Sequence, residues 1–135
     1  MTAMSDYLET KVLQWLKGTA MPPAPVAAYV GLFNGDPLDA GTGGAEVTTT
    51  IRAAGRVAAT FGPISDVGGA SKMSNSAVVD YGAAAGAADI SHFGLFDAAA
   101  GGNLLMRGTI LNGQKTAAVG TSVSFPVGTL VLGLD

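Results

Sequence analysis

The chain has 135 residues, only 13% of them charged, and a formal net charge of −3. An ordinary soluble domain carries roughly 25% charged residues, so the polar coverage is thin for a single domain of this size. Seven Lys and Arg residues, scattered along an acidic chain, do not form the basic patch that nucleic-acid binding requires. The absence of cysteine excludes disulfides and thiolate metal sites. We therefore expect stability to come from packing and from contacts with other subunits.

The N-terminal residues predict a single short helix, from Ser5 to Leu16. Ser5 is a suitable N-cap, and Asp6 and Glu9 are acidic residues near the positive end of the helix dipole. These two acidic residues also interrupt the apolar core that a signal peptide would need. No apolar run reaches the roughly 20 residues of a membrane span. We expect a protein made in a cytoplasm, with no membrane partner.

From residue 22 onward the sequence has short segments typical of β-strands, separated by turns rich in glycine, asparagine and proline. Leu130, Leu132 and Leu134 alternate and predict a last strand with one buried face. The predicted strands are 26–33, 46–50, 56–61, 76–81, 90–97, 103–111, 121–125 and 129–134. This pattern predicts a mainly β fold: a jelly-roll-like antiparallel β-sandwich or barrel with one short N-terminal α-helix. Residues 1–21 would form the helix and an arm, and residues 22–135 a single β-sandwich domain.

Candidate catalytic and phosphate-binding residues are few. His92 is the single histidine, and Asp89 or Asp97 could orient it, but no nucleophile in a recognisable turn accompanies them. The glycine-rich segment 41–44 lacks the Lys-Ser/Thr pair of a phosphate-binding loop. We expect a structural role for His92, a plain loop at 41–44, and neither catalysis nor a cofactor.

Three oxygen-bearing side chains, Asn34, Asp36 and Asp39, lie within six residues and make a calcium site conceivable. They lack the glutamate end of an EF-hand loop, and Pro37 indicates a rigid turn. The sequence therefore favours no metal site.

The apolar face of the predicted helix and two neighbouring arginines are the candidate contact residues. Leu8, Val12 and Trp15 recur at helical spacing, and they either cover the sheet or dock onto another protein. Of these two options, packing of Trp15 inside the chain is favoured. Arg52 and Arg56 flank a small turn, where they are either solvated or form ion pairs with another subunit. These five residues are the predicted interface.

Several segments also resemble a family of small structural proteins of tailed-bacteriophage virions. Members of that family are labelled tail fibre, minor structural or capsid decoration proteins. The similar segments follow one order and cover nearly the whole chain. They are 5–9 with Val12, Leu13 and Gly18; 24–33 with Asp36 and Pro37; 74–77 with Val79 and Tyr81; 92–97; 101–105 with Gly108; and Phe125, Gly128, Leu130, Leu134 and Asp135 at the end.

The resemblance implies a virion structural protein without enzymatic activity, made in the host cytoplasm. We expect a capsid decoration, or cement, protein that bridges subunits of the major capsid protein or contacts other virion proteins, and that forms a homo-oligomer. A single domain of low charge, with no coiled-coil segment and with an N-terminal helix as anchor, suits that role. The alternative is a tail or fibre-base component. A carbohydrate-binding adhesion module ranks third, since one Trp and three Tyr offer few stacking surfaces for sugars.

Overall fold

The computed structural model describes residues 2–48, 55–110 and 115–134 and, for 115–117, the backbone alone. The helix α1 spans Asp6–Leu16. The strands are β1 Thr2–Met4, β2 Ala28–Asn34, β3 Ala45–Glu46, β4 Val57–Ala59, β5 Ser65–Val67, β6 Ala70–Ser74, β7 Val79–Ala83, β8 Ala88–Ile90, β9 His92–Phe96, β10 Leu104–Thr109, β11 Lys115–Ala117, β12 Ser122–Phe125 and β13 Val131–Leu134. Within the described ranges, no helix is both long and apolar enough to cross a membrane.

Among the described residues, the largest sheet has six strands, in the order β1-β10-β9-β2-β3, with β4 also paired to β2. All of its pairs are antiparallel. β2 and β9 lie at its centre, and four consecutive residues of each are buried. A strand that is covered on both faces has a nearly continuous apolar sequence, which explains why these two segments do not alternate.

Two glycines open space on one face of this sheet. Gly31 and Gly94 lie opposite each other in the β2–β9 pair. A β-carbon on Gly31 would lie 2.8 Å from Glu46 Oε1, and one on Gly94 would lie 2.8 Å from Phe96 Cε2. A larger residue at either position would force these side chains to shift, which favours glycine. The space that they leave is occupied by Phe96 and Glu46.

Three smaller antiparallel sheets complete the described fold, in the orders β13-β6-β5, β12-β7 and β11-β8. The main core joins side chains of β2, β9 and β10 to those of β7, β12 and β13. Its largest members are Val30, Leu32, Val79, Tyr81, Ile90, Phe93, Leu95, Met106, Ile110, Phe125, Leu130 and Leu132. A second cluster contains Phe33, Phe96 and Leu104. Because Leu32 and Phe33 are successive residues of one strand, the two clusters lie on opposite faces of β2.

The mainly β, antiparallel fold with one short helix is confirmed. The strand order of the described residues does not establish the jelly-roll topology, and the division of the chain after residue 21 stays a prediction. Residues 2–4 form an edge strand of the large sheet, paired with β10, where the sequence predicts no strand. Three residues are too few to show the sequence pattern of a strand, and the partner strand lies far along the chain.

The segment between the predicted strands 56–61 and 76–81 also differs from expectation. A turn lies at Gly68 and Gly69, both of which have positive φ, 64° and 83°, in agreement with the glycine-rich turns that the sequence predicts between strands. The turn joins β5, which is exposed, to β6, which is partly buried. The sequence predicts neither strand, because they contain few branched or aromatic residues. In the last strand, Leu132 is buried as predicted, whereas Leu134 is 43% exposed.

Candidate assembly surface

The start of α1 is fixed to the large sheet by one buried serine. As predicted, Ser5 is the N-cap, and its Oγ accepts a hydrogen bond from the Leu8 N–H at 3.2 Å. The same hydroxyl donates to the carbonyl of Leu104, and the Ser5 N–H donates to the carbonyl of Leu105 at 3.0 Å. Ser5 is 1% exposed. One side chain therefore sets both where the helix begins and where it lies on β10.

The other end of α1 is closed by a Schellman motif, and the helix ends at Leu16 as predicted. Gly18 has a φ of +93°, and its N–H donates to the carbonyl of Trp15 at 2.9 Å. The Thr19 N–H donates to the carbonyl of Gln14 at 3.0 Å. This pair of bonds satisfies two of the carbonyls at the helix end and turns the chain out of the helix.

The C-terminal half of α1 carries exposed apolar side chains. Leu8 is half-buried against the main core, and Val12 is also half-buried. Beyond them, Leu13 is 62%, Trp15 57% and Leu16 69% exposed. The prediction that Trp15 packs inside the chain is wrong, because the contacts of α1 with β1 and β10 leave its last turns uncovered. The roles of Leu8, Val12 and Trp15 at an interface stay a prediction.

A shallow apolar groove of about 550 Å³ runs between α1 and the proline-rich segment 21–26. On the helix it is lined by Tyr7, Leu8 and Lys11, and at its floor by Leu105. Met21 and Val26 border it and are themselves strongly exposed, Val26 fully. We call the apolar residues that α1 and the following arm leave partly or largely exposed the helix–arm surface; they are Leu8, Val12, Leu13, Trp15, Leu16, Met21 and Val26.

Arg56 makes all of its described contacts inside the chain. Its Nε and Nη2 bind the two carboxylate oxygens of Glu46 at 2.7 and 3.0 Å. Its Nη1 donates to the carbonyls of Ala98 and Gly101 at 3.0 and 2.6 Å. The guanidinium lies 3.3 Å from the centre of the Phe96 ring, an attractive cation–π contact. With its side chain 8% exposed, the expectation that it is solvated is wrong.

The predicted interface role of Arg56 stays a prediction, although its side chain is occupied by these partners. Arg52, its predicted companion, lies outside the described residues.

The carboxylates of the conceivable calcium site bind an arginine. Arg107 Nε bonds Asp39 at 2.7 Å, and its Nη1 bonds both oxygens of Asp36 at 2.9 and 2.8 Å. The hydrogen bond to Asp39, opposed by burial and reinforced by the charge of Asp36, raises the pKa of Arg107. Within the described ranges no three histidine or acidic side chains converge as metal ligands would. These ion pairs hold the β2–β3 connection against β10.

The glycine-rich segment 41–44 belongs to the same connection. The N–H groups of Gly41 and Gly43 donate to the carbonyls of Leu38 and Pro37 at 3.0 and 2.9 Å. A phosphate-binding loop presents such amides to its ligand, whereas here two of them are used to close the loop.

His92 and Asp97 lie at opposite ends of β9. His92 Nδ1 is 2.8 Å from Ser91 Oγ, which also accepts from the Gly35 N–H at 2.9 Å. Asp97 accepts from the backbone and side-chain N–H groups of Asn103, both at 2.7 Å. Burial raises the pKa of Asp97, but the hydrogen bonds from Asn103 outweigh it, so the pKa lies below its usual value. Asp97 therefore closes the β9–β10 connection and does not orient His92.

Asn75 is the structurally central residue that the sequence analysis does not single out. It is 1% exposed, and its Nδ2 donates to the carbonyls of Ala77 and Pro126 at 2.8 and 2.9 Å. Its Oδ1 accepts from the Leu130 N–H at 2.9 Å, and its own carbonyl accepts from the Gly128 N–H at 2.9 Å. Asn75 thus joins the end of β6 to the turn between β12 and β13.

A family model described as podophage GP4 fiber I protein gp80 matches residues 3–133. The chain belongs to this family. The match begins in β1 and ends in β13, so α1 and the proline-rich segment lie inside the shared region. No curated protein matches the sequence significantly.

Membership confirms the resemblance to phage virion structural proteins and makes the protein a virion component that associates with other virion proteins. The family description names a fibre, which agrees with the tail or fibre alternative better than with the expected capsid decoration.

Proposed function

We propose that the protein is a structural subunit of a tail fibre or of the base that carries the fibre, and that it contacts its neighbours through the helix–arm surface. The observation that carries the proposal is the uncovered apolar half of α1 in a member of a fibre family. Exposed apolar regions of several hundred Å² on a soluble domain mark contact sites, because their burial removes apolar area from water. Leu8, Val12 and Trp15 belong to this interface, and Leu13 and Leu16 extend it.

The copy number and position of the protein in virions test the proposal. Purified particles are dissociated into head and tail fractions, and the protein is quantified by mass spectrometry against an isotope-labelled standard, with the major capsid protein as the calibrant. We expect at most a few dozen copies per particle, all in the tail fraction. Hundreds of copies in the head fraction would refute the fibre assignment in favour of capsid decoration.

A further inference from the structure

The end of β2 carries an asparagine followed by glycine, a pair whose own atoms can react with each other. Asn34 is the last residue of β2, its side chain is exposed, and within the described ranges no hydrogen bond holds that side chain. Gly35 has a φ of +90° and no β-carbon, so its nitrogen is open to attack a neighbouring group. The other described asparagines, Asn75 and Asn103, differ because their side-chain amides donate hydrogen bonds.

The peptide group between Asn34 and Gly35 is held in place by Ser91. The Gly35 N–H donates to Ser91 Oγ at 2.9 Å, and this oxygen lies 2.8 Å from His92 Nδ1. The Ser91 N–H donates to the carbonyl of Phe33, also at 2.9 Å. Ser91 therefore contacts the main chain on both sides of Asn34 and restrains its backbone.

We propose that Asn34 is a site of spontaneous deamidation, and that the hydrogen bond from Gly35 to Ser91 sets its rate in the folded protein. The Gly35 nitrogen loses its proton and bonds to Cγ of Asn34. The bond from Cγ to Nδ2 breaks, and ammonia leaves with that proton, so that a cyclic succinimide remains. Water then opens this ring. Its addition at Cγ breaks the new bond and gives aspartate, whereas addition at the main-chain carbonyl carbon breaks the original peptide bond and gives isoaspartate.

Ring closure requires a rotation of the Asn34 backbone, which Ser91 opposes. In the extended backbone of a strand, the next amide nitrogen is turned away from the residue's own side chain. Bringing the Gly35 nitrogen to Cγ therefore turns the peptide group and breaks its hydrogen bond to Ser91. Without that bond the barrier is lower, and the net strength of one such bond corresponds to a rate roughly two- to tenfold higher.

Either product alters the connection between β2 and β3. Aspartate adds a negative charge close in sequence to Asp36, which binds Arg107. Isoaspartate adds a methylene group to the main chain at the residue that pairs with Ala45 of β3. A virion outside its host cannot replace a modified subunit, so the products accumulate with the age of the particle.

Peptide mass spectrometry measures the rate of this reaction. The full chain is incubated in mildly alkaline buffer made with heavy-oxygen water and is then digested with trypsin. The tryptic peptide 18–52 contains Asn34 as its single asparagine, so a labelled carboxylate in this peptide reports the reaction, and electron-transfer fragmentation separates isoaspartate from aspartate. We expect the folded wild type to react more slowly than the wild type in urea. Folded Ser91→Ala should react roughly two- to tenfold faster than the folded wild type, and the two should react equally in urea.

Two serine variants and a second asparagine–glycine pair supply the controls. Ser91→Thr keeps the hydroxyl and should keep the slow rate. Ser76→Ala removes an exposed hydroxyl that bonds Thr60, far from Asn34 in the sequence, and should not change the rate. Asn112 and Gly113, which lie outside the described residues, fall in a separate tryptic peptide, 108–115, and give the rate of an unrestrained pair in urea.

Two results would overturn the inference. One is equal rates at Asn34 in folded wild type and folded Ser91→Ala, with urea unfolding used to show that the variant is folded. The other is a folded wild type that does not react at Asn34 while the sample in urea reacts completely, a result that needs no variant. Neither bears on the copy-number test of the fibre assignment.

Discussion

Replacement of Asn75 by alanine should cause a large loss of stability for a small change in volume. The side chain is buried and serves as both donor and acceptor, so that it joins β6 to the turn that leads into β13. Asn75→Ala leaves the Leu130 N–H, at a residue 1% exposed, without its partner. The carbonyl of Pro126 keeps its hydrogen bonds from the N–H and the hydroxyl of Thr129, so the loss of its bond from Asn75 costs less free energy.

The magnitude follows from these partners. An orphaned buried N–H costs about 1–3 kcal/mol, and each of the other lost hydrogen bonds contributes about 0.5–1.5 kcal/mol. We expect a total loss of about 2–5 kcal/mol, a large part of the 5–15 kcal/mol that stabilises a typical domain. For a domain of this size the melting temperature should fall by about 10 °C or more.

Urea unfolding followed by circular dichroism measures the effect, with Ser76→Ala as the matched control. Ser76 is the next residue, is exposed, and makes one exposed hydrogen bond to Thr60. Loss of this hydrogen bond in Ser76→Ala should change the unfolding free energy by no more than about 0.5 kcal/mol. If the two variants unfold at the same urea concentration with equal m-values, the central role of Asn75 is refuted.

Three further outcomes are expected. Arg56→Gln removes an ion pair and a ring contact at a side chain 8% exposed, and should lower the unfolding free energy by about 2–4 kcal/mol in guanidinium titrations. Trp15→Ala should lower the free energy of unfolding in urea by less than about 1 kcal/mol, because the side chain is 57% exposed; a loss of about 3–5 kcal/mol, typical of a core tryptophan, would show that the side chain is covered. Asp97, with its lowered pKa, stabilises the fold above its ordinary pKa of 3.8 and loses that contribution as pH falls through the folded value, so Asp97→Asn should flatten the acid side of a Tm-against-pH curve.

Local features of the chain were predictable because their physical causes are local. Ser5 caps the helix and Gly18 ends it through bonds to groups within a few residues, and the Gly68–Gly69 turn needs only backbone freedom. Strand β1 was not predictable in the same way, since its partner β10 lies about a hundred residues away. Nothing in three residues of sequence indicates that pairing.

The helix–arm surface shows a second limit of prediction from sequence. Periodicity places Leu8, Val12 and Trp15 on one side of α1, but the same pattern serves a helix that covers its own sheet and a helix that contacts another molecule. Only the position of the helix on β10 separates these cases. Asn75 is a similar example, because its neighbours in the sequence do not indicate that it is buried, and its partners include residues 126 and 130, about 50 positions away.

The bonds from Ser5 to β10 also determine when the helix is put in place. Ser5 and Leu104 are 99 positions apart in the chain, so their contact forms only after the intervening residues have been synthesised and have collapsed. An isolated helix of 11 residues has only marginal stability in water, so before this contact forms its side chains do not lie in fixed positions. The helix is therefore synthesised well before β10, the strand that holds it, and it has no fixed position on the sheet until β10 is present.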